Sequence, residues 1–146
     1  MMLPDINVLL YSVEADNPYH APAKRWLESA FNSSSPVGFA WLVLVGFVRL
    51  STQTKILRTR LTTVQSLSLM NEWTQHPNAQ IVHPGQQHGV LLGGFLMAAG
   101  TAGNLTNDAH LAALAVENNA TVGTFDKDFH RFPGVKFDLL KSKISN

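Results

Sequence analysis

Short runs of strand-forming residues alternate with stretches of helical periodicity along this 146-residue chain. Residues 1–4, 37–40, 80–83 and 121–125 read as strands, and 135–137 as a short edge strand. Where a helix separates two strands, the second returns to the same sheet by a crossover and runs parallel to the first. The expected architecture is therefore an α/β fold around a largely parallel sheet. No linker divides the chain, so residues 1–140 are expected to form a single domain, with a frayed tail over 141–146.

The helical segments carry their own signals. Residues 7–13 form a short apolar helix, and 20–31 an amphipathic one with Ala23, Trp26, Leu27 and Ala30 on one face. Residues 41–50 are apolar nearly all round, which fits a helix buried on several sides or at a subunit contact. A helix over 62–75 ends at His76-Pro77. In the helix over 86–99, Gly89, Gly93 and Gly94 are expected to permit close packing. Thr106 is a suitable N-cap for a helix over 107–118, with Ala109, Ala112, Ala113 and Val116 inward.

Composition excludes several function classes. The apolar fraction of 45% with 14% charged residues describes a folded chain rather than a disordered one. With no cysteine there is no disulfide, zinc ribbon or thiol chemistry. No run approaches the ~20 apolar residues that cross a bilayer, and the N-terminus lacks the pattern of a signal peptide. These features point to a cytoplasmic protein without a membrane partner. A net charge of +1 announces no nucleic-acid partner. Locally, however, Arg49, Lys55, Arg58 and Arg60 fall in a stretch without acids. They form either a basic rim for RNA or a solvated loop.

The acids fall at the ends of predicted elements. Asp5 follows the first strand, Asp126 and Asp128 the fourth, and Asp108 begins the helix before it. In a parallel sheet these positions border one crevice, where ligands bind. Carboxylates gathered there repel one another unless a cation intervenes. Oxygen-only ligands favour Mg²⁺, with Mn²⁺ as a substitute. Such an ion supports phosphodiester hydrolysis. The alternative makes Asp5 and Asp108 helix caps and Asp126-Lys127-Asp128 a turn.

The surrounding residues bear on that choice. Asp5-Ile-Asn7-Val-Leu-Leu-Tyr11 resembles the opening of PIN domains. Asn104-Leu-Thr-Asn-Asp108-Ala-His110 is similar to their third-acid helix, and Thr121-Val-Gly-Thr124-Phe-Asp126-Lys-Asp128-Phe129 to the strand and acidic turn that close the site. Pro133-Gly-Val is similar to the tail of VapC-type toxins, the ribonuclease halves of bacterial toxin–antitoxin pairs. The resemblance implies a PIN-like three-layer α/β/α fold with a four-to-five-stranded sheet. It also implies Mg²⁺-dependent endoribonuclease activity and a cognate antitoxin. By motif position, Asp5, Asp108 and Asp126 become metal ligands and Asp128 a fourth acid. Thr124 and Asn7 become groups that orient the carboxylates, although a hydrogen bond at the helix start also accounts for Asn7.

The chain departs from the pattern at one position. Trp41-Leu-Val-Leu-Val-Gly46-Phe47-Val-Arg49 keeps the frame in which these domains commonly carry a glutamate, with glycine in its place. Glu14 or water is then the candidate replacement, and a catalytically silent binding module is the competing reading. A phosphatase of the haloacid-dehalogenase type lacks its Asp-x-Asp-x-Thr pattern, because position 7 is Asn and Phe129 follows Asp128. Arg49 and Lys127 join Lys55, Arg58 and Arg60 as candidate RNA-binding residues. No catalytic role is assigned to the six histidines, with His88 expected at a break or on the surface. The apolar runs 42–48 and 91–97 exceed what a small monomer needs to cover. A homodimer or a groove for an antitoxin helix accounts for them, and a fully internal helix is the simpler account of the first run.

Overall fold

The computed structural model describes residues 1–54 and 56–142; Lys55 and residues 143–146 lie outside the described residues. The chain order is β1 (Met2–Pro4), α1 (Ile6–Ser12), α2 (His20–Asn32), β2 (Val37–Ala40), α3 (Trp41–Ser51) and α4 (Thr63–Thr74). It continues with β3 (Ala79–Val82), α5 (His88–Ala99), α6 (Thr106–Glu117), β4 (Thr121–Thr124) and β5 (Lys136–Leu139). Short 3₁₀ turns at Gly103–Leu105 and Lys127–Arg131 complete the described elements.

All five strands are parallel, in the order β3-β2-β1-β4-β5. The chain builds outward from β1 through β2 to β3, then returns to place β4 on the other side. The switch in strand order therefore falls between β1 and β4, where the crevice of such a sheet opens. Every residue of β2 is buried, so both faces of the sheet centre are covered. Phe39, Phe47 and Phe129 are the largest fully buried side chains, each stabilising the fold by about 2–3 kcal/mol. Gly123 in β4 is required by close approach: a β-carbon there would collide with the Trp26 ring from α2. Trp26 is held by an Nε1–H donated to Asp138 Oδ2 at 2.9 Å.

Several expectations are corrected. Helix α3 is not internal: Val43, Leu44 and Phe47 face the core, but Trp41, Leu42 and Val45 are 47%, 42% and 60% exposed. A single buried stripe on an all-apolar helix leaves the other face in water. In α5, β-carbons on Gly89, Gly93 and Gly94 would meet nothing within 4 Å, so these glycines serve no close packing. Only His88 and Phe95 are buried in that helix. Thr106 lies inside α6 rather than capping it, because the preceding 3₁₀ turn already supplies helical backbone. Val116 is exposed, and Leu111, Leu114 and Ala115 join the buried face instead.

Candidate active site

Asp5 leaves β1 in extended conformation and caps α1, its Oδ1 accepting the Ile6 N–H at 2.7 Å. Its Oδ2 accepts the Thr124 hydroxyl at 2.7 Å across the switch point. Thr124 Oγ1 in turn accepts the Asp126 N–H at 3.0 Å. Asn7 Nδ2 lies 3.4 Å from Asp5 Oδ2 and 3.5 Å from Thr124 Oγ1, while its Oδ1 accepts the Phe125 N–H. The end of β1 and the end of β4 are thus tied through Asp5, Asn7 and Thr124. Asn7 makes these contacts across the sheet as well as toward its own helix start.

Asp126 caps the 3₁₀ turn, accepting the Asp128 N–H at 2.8 Å, so capping and clustering coexist in one residue. One carboxylate oxygen each from Asp108, Asp126 and Asp128 lies within 4.8 Å of the others, an arrangement that can hold a metal ion. Asp5 stands behind this triad, only 5% exposed. Burial raises the Asp5 carboxyl above its ordinary range, opposed by the bonds from Thr124 and Ile6. Asp108 is pushed up to about 8, first by burial and then by Asp5, Asp126 and Asp128. Among the described residues no cation forms a salt bridge to any of the four.

One crevice is shared by Asp5, Ile6, Gly46, Arg49, Asp108 and Asp126. Exposed Arg49 thereby sits beside the acids, whereas Arg58 and Arg60 are exposed and do not line this crevice. Lys55 lies outside the described residues. Exposed Lys127 lines a second groove, which shares Asp126 with the first and also includes Asp128. Glu14 takes no part in the cluster: its carboxylate accepts the Arg58 N–H and the Asn17 amide.

Two features escaped the sequence reading. Tyr11, Tyr19 and Phe125 form an aromatic cluster beside the acids, with centroids 5.0 to 5.3 Å apart. Two of these rings lie in the motifs that carry Asp5 and Asp126, so their positions were available as a signal. The second feature corrects His88, which is buried rather than at the surface. Its Nδ1 pairs with Glu117 and its Nε2 lies 2.8 Å from His110 Nδ1. Glu117 also accepts the Gly85 N–H at 2.7 Å, anchoring the start of α5 to α6. Burial, and then His88, lowers the His110 pKa.

The PIN domain family matches residues 2–135. Ribonuclease VapC37 of Mycobacterium tuberculosis is 42% identical over 138 residues, covering 94% of this chain and 96% of that protein. Ribonuclease VapC33 of the same species is 35% identical over 137 residues, at 94% and 96% coverage. Among solved structures, VapBC2 from Rickettsia felis bound to a promoter DNA fragment aligns with a TM-score of 0.68 at 20% identity, covering 94% of this chain and 96% of that one. VapBC-1 from nontypeable Haemophilus influenzae gives 0.68 at 18% identity, with the same coverage. At these identities the structural likeness concerns the fold.

Proposed function

This chain belongs to the PIN-domain family, and we propose that it is a metal-dependent endoribonuclease, the toxin of a toxin–antitoxin pair. The observation that carries this reading is the convergence of Asp108, Asp126 and Asp128 beside buried Asp5 at the switch point of the sheet. The ribonuclease names of the VapC relatives support it.

The donor set fits a hard divalent cation. It offers carboxylate oxygens alone, with no cationic side chain paired to them among the described residues. Asp108, Asp126 and Asp128 would hold Mg²⁺, or Mn²⁺ in its place, and Asp5, outside that three-acid group, would add its charge beside it. When bound, such an ion lowers the pKa of water and stabilises charge on a phosphate. The chain's own groups supply order. Thr124 and the Ile6 N–H fix the Asp5 carboxylate, and Asn7 locks the strand ends at the spacing the cluster needs. Arg49 in one groove and Lys127 in the other hold the flanking phosphates without reading bases.

The VapBC neighbours support an antitoxin protein as partner. The exposed apolar face of α3 supports a homodimer: Trp41, Leu42 and Val45 line a groove with Leu92 and His110. No helix is long and apolar enough to cross a membrane among the described residues, and a cytoplasmic location accords with an RNA substrate.

Gly46 favours a second reading, a PIN-like binding module with weak or no catalysis. The test is cleavage of a mixed RNA pool by purified, partner-free protein with Mg²⁺ or Mn²⁺, with chelator, and with Asp5→Asn. Cleavage that needs the metal and disappears in the variant supports the nuclease. Folded protein that binds RNA but cuts nothing with either ion supports the binding module.

A further inference from the structure

The second groove beside the acids is built differently from the crevice that contains Arg49. Tyr11 lies four residues after Asn7 in α1, so both face the same side of the helix about one turn apart, ~6 Å along its axis. Tyr19 stands at the start of α2, and its ring stacks on Tyr11 at 5.0 Å with planes 27° apart. Phe125, the residue before Asp126, meets both rings edge-on. All three line the groove, as do Asn7, Lys127 and Lys141. The tyrosines and Phe125 are half-buried, and both lysines are exposed. Asp126 and Asp128 line the same groove.

Half-buried rings beside exposed ammonium groups do not suit a purely apolar peptide face. They suit a strand with anionic phosphates and flat bases, which binds by stacking and charge together. Resting on the nuclease reading above, we infer that this groove seats a nucleobase adjoining the scissile phosphate, with Tyr11 and Tyr19 as its stacking surface and Lys127 and Lys141 on the backbone. The base adjoining the cut is then held by its π-face, which every base offers. The groove orients the phosphate at the acids while imposing little sequence preference. It makes Tyr11 and Tyr19 substrate-binding residues, distinct from the aspartates.

The test measures binding of three octamers in Mg²⁺: oligoadenylate, oligouridylate, and an abasic ribose-phosphate chain. The protein carries Asp108→Asn, a position outside this groove, to suppress cutting. The base-bearing octamers are expected to bind roughly tenfold or more tightly than the abasic chain, oligoadenylate best. Tyr11→Leu and Tyr19→Leu should each shrink that gap several-fold and leave the abasic affinity unchanged. Tyr19→Phe should retain the gap, and thermal melting checks that each variant is folded. Lys127→Ala should weaken all three octamers alike. A missing gap, or one that persists in folded Leu variants, overturns the inference. Cleavage of an RNA pool by the wild-type chain is scored separately. Cutting without the gap removes the stacking groove alone, whereas the gap without cutting removes the nuclease reading and leaves the groove.

Discussion

Ile6 fills the space that a side chain at Gly46 would enter: a β-carbon built on Gly46 would stand 2.6 Å from Ile6 Cδ1. The obstacle is the end of a flexible side chain, and the crevice beyond it contains Asp5, Asp108 and Asp126. Gly46→Glu combined with Ile6→Val should therefore add a carboxylate to the cluster and tighten Mn²⁺ binding by about tenfold. Calorimetric titration of the double variant beside wild type checks this. An unchanged affinity would mean that position 46 does not face the ion.

Asp108 titrates far from an ordinary aspartate, and the sign of its effect on stability is defined. The folded carboxyl keeps its proton up to pH about 8, while the unfolded one releases it near 4. Between these values the folded state holds the extra proton, so metal-free stability falls as pH rises. Metal-free protein should melt at a higher temperature at pH 5 than at pH 8, with the slope reduced in Asp108→Asn. His110 acts in the opposite direction below the ordinary histidine value, because its folded pKa is lowered. The difference between wild type and Asp108→Asn, which share His110, isolates the aspartate. Identical slopes would remove the raised Asp108 pKa from the account.

Thr124 is fully buried and donates to Asp5. Thr124→Val keeps the shape and leaves the Asp5 oxygen without that donor, which should cost about 1–3 kcal/mol in chemical denaturation. Thr124→Ser should recover most of the loss. A larger loss in Thr124→Ser than in Thr124→Val would indicate that the methyl contacts matter rather than the hydroxyl.

The α3 face offers a direct test of self-association. Val45 is 60% exposed and lines a groove with Trp41 and Leu42. Val45→Asp should leave the chain folded, since the residue lies outside the core, and should convert a dimer to monomers in sedimentation velocity. A wild-type chain that sediments as a monomer at micromolar concentration would contradict the dimer.

The strands and their parallel direction were legible because each is a short apolar run between helical segments, and the acids were legible because three follow strand ends and Asp108 begins a helix. The structure shows β2 with the predicted bounds and β5 one strand further out than a four-stranded sheet requires. Local pattern did not report which side of an all-apolar helix is covered. Val43 and Val45 are chemically alike, yet one is buried and the other is not. Nor did it show that Glu14 is engaged by the Arg58 backbone, 44 positions away. Tyr11 and Phe125 stood in the motifs, but their contact was not legible there: the two meet only when β1 and β4 pair. His88 was misplaced because its partners, Glu117 and His110, lie on another helix.

The most direct measurement is a Mn²⁺ titration followed on one sample by binding and by RNA cleavage, for wild type and Asp126→Asn. If the aspartate cluster is the catalytic metal site, half-maximal cleavage should fall at the metal concentration that half-saturates binding. Asp126→Asn should lower cleavage by at least about a hundredfold while weakening the metal. Cleavage that proceeds at full rate in Asp126→Asn, or in chelator, would contradict the account.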